Sequence, residues 1–163
     1  QKAGVELIET AKPYPMLDNQ VLFLSQIERT TDFEKGAPSL WFGEGENARQ
    51  DTFEDDTGLA FVVKDKGLVV LSGCAHSGIV NTVKYAQKIT GVDKVYAVMG
   101  GFHLSGPDQE PVIKPTIKAL LGIGPDWIVP THCTGRNAAM MIEKAFGDRF
   151  ILNMAGTKLT FAS

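Results

Sequence analysis

From Gly58 to Phe146 the chain alternates strand-like apolar runs with stretches of helical period, and each of its three histidines follows one of those strands. Leu59–Lys64 and Leu68–Ser72 read as a hairpin around the turn Asp65-Lys66-Gly67. Ile79, Val80, Val83, Ala86 and Ile89 then recur at helical spacing, which predicts a helix over Ile79–Thr90. Lys94–Met99 and Trp127–Val129 read as further strands. Helices are expected over Pro111–Leu121, with Pro115 as a late start or kink, and over Arg136–Phe146, closed by Gly147. Phe150–Asn153 and Lys158–Phe161 read as closing strands around Ala155-Gly156. Such alternation predicts a layered α/β architecture with a mixed sheet.

Residues 1–57 are an irregular strand-and-loop segment of the same domain, and residues 58–163 hold its β-α units. Val21–Leu24 is a strand that an edge segment can precede, although Pro13 and Pro15 argue against regular structure just before it. Thr30–Thr57 is rich in Asp, Glu, Gly and Asn and shows little period. A loop of that length is functional or mobile, and the expectation is a surface excursion over a site.

His76, His103 and His132 lie roughly one β-α unit apart, each in a loop between a strand and a helix. Successive strands of an open α/β sheet present their C-terminal ends at one edge, where ligands bind. Three imidazoles placed there are expected to converge on a shared site. Ser77 and Thr134 stand just before helix starts, where a hydroxyl either caps the helix or contributes to binding an anionic substrate group such as phosphate. Imidazole suits zinc, iron or manganese. No carboxylate adjoins the histidines in sequence; Asp108 and Glu110 are the nearest and read as solvated.

Cys74 and Cys133 each sit beside a histidine. The ordinary reading is two reduced, buried thiols of a cytoplasmic protein. A Cys2His2 zinc site is the alternative. Against it, neighbours such as His132 and Cys133 point apart on an extended backbone. The longest apolar run, Leu68–Leu71, cannot span a bilayer. The net charge of −3, with no basic stripe, argues against nucleic acid.

The segments SGCAHSGIVNT (72–82), VMGGFHL (98–104), PTHCTG (130–135) and ERTTDFEKG (28–36) together resemble the metallo-β-lactamase superfamily. They look closest to its dihydropterin or ribofuranosylaminobenzene-phosphate synthase-like subgroup. The resemblance implies the C-terminal half of a four-layer αββα sandwich with one or two divalent ions, zinc first and manganese or iron next. By the same resemblance His76 and His132 match metal ligands. At the place of the usual bridging Asp this chain reads Gly100-Gly101, and His103, which follows, is either a substitute ligand or a catalytic residue acting on substrate. The family's His-x-His-x-Asp-His motif is absent from this chain, so the expected partner is an N-terminal half that carries it. Fragment, proteolytic product and split-enzyme subunit are equally compatible with that. The implied function is part of a metal-dependent hydrolase or related transferase for a phosphorylated or pterin-like small molecule. The alternative is a non-catalytic scaffold or homo-oligomerisation module with an incomplete metal site.

Overall fold

The computed structural model describes residues 4, 6–38 and 40–161. Its strands are β1 (Tyr14–Met16), β2 (Val21–Leu24), β3 (Trp41–Phe42), β4 (Arg49–Gln50), β5 (Gly58–Val63) and β6 (Gly67–Ser72). Helix α1 (Ile79–Thr90), strand β7 (Val95–Gly101), helix α2 (Glu110–Ile123), strand β8 (Trp127–Thr131) and helix α3 (Arg136–Phe146) follow. One six-stranded sheet has the order β1-β2-β5-β6-β7-β8. Its first four strands pair antiparallel. β6, β7 and β8 pair parallel, with α1 and α2 in the crossovers. β3 and β4 form a separate two-stranded ribbon.

Alternation along the strands divides the core. Leu68 and Val70 of β6, Val98 of β7 and Ile128 of β8 face the helices, and all are fully buried. The helices answer with one stripe each: Ile79, Val80, Val83 and Ala86 from α1, Ile113, Ile117 and Leu120 from α2, Ala138, Ile142 and Phe146 from α3. Between them, the i, i+3, i+4 spacing puts these side chains on a single face of each helix. Val69 and Ala97 turn to the other side of the sheet, where Phe61, Tyr96, Met99 and Phe161 pack around them. A register shift between Leu68 and Val69, opposite Val95 and Ala97, lets both faces of β7 stay filled. The chain thus supplies one sheet and one helix layer of the α/β sandwich.

Three local expectations are corrected. Pro15 lies inside β1, which pairs with β2 on one side only; an edge strand tolerates a residue with no N–H to donate. α2 runs unbroken from Glu110 through Pro115, whose absent N–H would have reached back only to the first turn. Phe150–Asn153 and Lys158–Phe161 form no strands. The first leg touches the end of the sheet only through a bridge from Phe150 to Ile128 and Ile151 N–H to Ile128 O at 2.9 Å, and the Ala155-Gly156 turn is held by Thr157 N–H to Met154 O at 2.9 Å. Phe161 instead lies edge-on to Phe61 and Tyr96, at 5.8 and 5.9 Å.

Candidate active site

The loops after β6, β7 and β8 meet at one edge of the sheet, stitched together by their own backbone. Gly101 N–H donates to Gly73 O at 3.0 Å, and the Ser72 hydroxyl donates to Gly101 O at 2.6 Å. Gly101 must be glycine here: a Cβ would stand 2.5 Å from Gly73 O and 2.8 Å from Cys133 Sγ. Ala75, His103 and His132 all have positive φ, at 58°, 48° and 50°. Left-handed non-glycine residues are uncommon and gather where function over-determines the backbone.

All three histidines occupy this edge, but they do not form one group. The rings of His76 and His103 meet edge to face at 4.5 Å. His132 turns instead to Cys74, with Nε2 3.2 Å from Sγ. The Cys133 thiol donates to Cys74 O at 3.3 Å. Among the described residues, the donors within 4.8 Å of one another are those of Cys74, His132 and Cys133.

Two buried carboxylates reach the site from the long loop. Asp56 accepts the Ser77 N–H at 2.8 Å and lies near enough to His103 to favour its protonated form. Burial and the neighbouring His76 outweigh Asp56 and hold the His103 pKa below the ordinary imidazole value. Phe53 packs on His76 with ring centroids 4.7 Å apart. Glu34 caps α1, where a glycine, Gly78, leaves the helix start without a side-chain cap of its own. Its two oxygens accept Val80 N–H at 2.8 Å and Asn81 N–H at 2.9 Å. Gly78 has φ 100°, and a Cβ there would lie 2.2 Å from the Glu34 carboxyl carbon. Asn81 returns the contact by accepting the Thr30 and Thr31 N–H groups at 2.8 and 2.9 Å. Burial raises the Glu34 pKa, against the pull of the Val80 and Asn81 N–H donors. A cleft lined by Glu34, His76, Phe102, His103 and Gln109 opens beside the histidine pair.

Ser77 and Thr134 do not cap α1 or α3 with their side chains. Both are buried, at 2% and 1% exposure. The Thr134 hydroxyl accepts Phe102 N–H at 3.1 Å and donates to Thr131 O at 2.7 Å. Direct contact with a substrate would require these loops to open. Asp108 and Glu110 are exposed.

Comparison with known proteins fits this arrangement. No family model matches the chain. It is 44% identical over 165 residues to the 7,8-dihydropterin-6-methyl-4-(beta-D-ribofuranosyl)-aminobenzene-5'-phosphate synthase of Methanocaldococcus jannaschii, covering 99% of this chain and 55% of that protein. An uncharacterized protein of the same organism is 30% identical over 144 residues, covering 88% of this chain and 50% of the relative. The crystal structure of a metal-dependent hydrolase of the beta-lactamase superfamily superposes with TM-score 0.77 at 28% identity, over 99% of this chain and 60% of the other. The chain belongs to the metallo-β-lactamase superfamily. Its similarity to the dihydropterin-ribofuranosylaminobenzene-phosphate synthase runs over nearly the whole of this chain. It spans about half the length of the curated relatives it matches. Among the described residues, no helix is long and apolar enough to cross a membrane.

The donors present suit the divalent metal that a metallo-β-lactamase fold implies. Imidazoles at 4.5 Å with a buried carboxylate beside them are nitrogen and oxygen ligands of the class such metals take. Asp56 and Glu34 were not legible as site residues: each stands in a stretch where acidic residues are frequent and periodicity is absent. The only signal for Glu34 was its place in the 28–36 segment.

Proposed function

We propose that this chain contributes part of a metal-dependent active site of a hydrolase or related transferase that acts on a phosphorylated or pterin-like small molecule. The observation that carries the reading is the His76–His103 pair with Asp56 behind it, at the edge where three strand ends converge. His76, His103 and His132 are the proposed metal-binding residues, with zinc the first choice and manganese or iron suited to similar donors. A divalent metal supplies polarisation of a substrate oxygen and a lowered pKa for water.

The chain's own residues account for the rest. His103 stays neutral near pH 7 because burial and His76 oppose its charge, so its free nitrogen can ligate or accept a proton from substrate. Phe53 holds the His76 ring and shields it from water on one side. Ser77 and Thr134 act nearest the substrate through the loops they secure, Ser77 by orienting Asp56 and Thr134 by fixing the Phe102 N–H beside His103. The inferred partner is a segment carrying His-x-His-x-Asp-His; a second copy of the chain is the weaker alternative. Two free thiols suit a reducing, cytoplasmic compartment.

The test measures bound metal and turnover of phosphodiester and reduced-pterin substrates, with a segment carrying His-x-His-x-Asp-His supplied. Asp56→Asn is expected to lower metal affinity or activity by about 10–100-fold, the usual cost of removing a carboxylate that orients a ligand. His76→Ala and His103→Ala are expected to abolish turnover. Turnover unchanged in all three variants would overturn the reading. Absence of metal and turnover even with the partner segment supplied would favour a non-catalytic scaffold.

A further inference from the structure

Among the described residues, the group of three metal-type donors brought together is the one a linear reading disfavours. Cys74, His132 and Cys133 bring two sulfurs and an imidazole nitrogen within 4.8 Å of one another. His132 and Cys133 are adjacent, and an extended backbone would throw them to opposite sides. The positive φ of His132, 50°, ends the extension. It opens a short 3-10 turn, His132–Thr134, that brings both side chains to the same side. Cys74 arrives from the loop after β6. Gly101 leaves the room between them, since a Cβ there would meet Cys133 Sγ at 2.8 Å and Cys74 Cα at 3.1 Å.

Both thiols are free and partly exposed, and His132 is exposed, so an ion from solvent can reach all three donors. With bonds of about 2.3 Å to sulfur and 2.0–2.1 Å to nitrogen, a tetrahedral ion sets its ligands about 3.5–3.8 Å apart. His132 Nε2 and Cys74 Sγ are already at 3.2 Å, and side-chain rotation of the two cysteines covers the remaining adjustment. Thiolate with imidazole selects zinc or a softer ion over magnesium, calcium and manganese. Three protein ligands leave one coordination position open.

We propose that Cys74, Cys133 and His132 form a thiolate-rich binding site for one thiophilic cation of the zinc class. The site adjoins the His76–His103 pair and differs from it in ligand set. It shares His132 with the functional reading above and does not otherwise depend on it.

Cobalt(II) is the probe, added to the reduced protein and followed by absorption. One equivalent is expected to give a strong sulfur-to-cobalt charge-transfer band that zinc bleaches. Cys74→Ser and Cys133→Ser are each expected to weaken that band markedly, and His76→Ala to leave it intact. In the wild-type protein, stoichiometric zinc is expected to slow modification of both thiols by a disulfide reagent about tenfold or more, because the free thiolate is the nucleophile. The thiol measurement decides the matter if a serine variant fails to fold. Cobalt bound without a sulfur band would overturn this site and leave an imidazole-carboxylate centre standing. No bound cobalt, a band lost only in His76→Ala, or thiol reactivity unaffected by zinc would each overturn it as well.

Discussion

Glu34 shows how much one side chain can hold. Its carboxylate satisfies two of the N–H groups that a helix start leaves without partners, and it does so from 46 residues away in the chain. Glu34→Ala removes both acceptors and leaves two buried donors unpaired. The expected cost is about 1–3 kcal/mol, read as a lower urea midpoint with an unchanged slope. A midpoint shifted by less than the error would mean that water replaces the cap. His103 carries the pH dependence. Its pKa is lowered by burial and by His76, so the folded state resists a proton that the unfolded chain takes up near the ordinary value of about 6.5. Stability is therefore fullest above that value and falls as pH drops through it. His103→Gln is expected to flatten this loss between neutral and mildly acid pH. An equally steep loss in the variant, measured by the same urea titration, would place the titrating group elsewhere.

At the scale of elements, the long loop divides into anchored and free parts. Thr30 and Thr31 give their N–H groups to Asn81 at the start of α1, and Phe53 and Asp56 are buried at its far end. Between them the β3–β4 ribbon has only two residues per strand, all exposed. Local stability follows burial and protected hydrogen bonds. Amide exchange at residues 41–50 is expected to be much faster than in β6, and Thr30 and Thr31 are expected to exchange slowly with α1. Equal protection in the ribbon and in β6 would contradict this. The loop was expected to be a surface excursion over a site, and its ends do reach the histidines. Its middle carries an exposed Trp41 and Phe42, with the Arg49 guanidinium 4.2 Å over the Phe42 ring.

The whole molecule offers a filled sheet face under its helices and a partly covered one opposite. On the side opposite the helices, Phe61, Tyr96 and Met99 stay only partly buried around Val63, Val69 and Ala97. Three ligands per ion are usual for a catalytic centre, and the proposed imidazole set has His132 turned away toward Cys74. The chain by itself is therefore expected to turn over test substrates barely above background. Adding a segment with His-x-His-x-Asp-His in trans is expected to raise turnover and to bury the sheet face that carries Phe61, Tyr96 and Met99, seen as loss of dye binding by that apolar surface. Robust turnover by the chain alone would show that its own residues complete the catalytic site.

The order of strands and helices after Gly58 followed from local periodicity, because side chains that repeat at two or at 3.6 residues sort themselves onto one face whatever lies far away. The same logic put His76, His103 and His132 in loops at a common edge, since strand ends in a parallel arrangement all open one way. Residue types also carried the resemblance that the comparisons support. Contacts that depend on distant backbone were beyond that reach. Asp56 and Glu34 became site residues only when an aperiodic loop folded back over α1. Phe150–Phe161 meets the sheet only at Ile128 and forms no hairpin, although its pattern suits one. The pairing of His76 with His103, and of His132 with the two cysteines, turned on left-handed backbone at His103 and His132. The tertiary structure sets those φ angles, because an L-residue enters that region only where surrounding contacts compensate its steric cost.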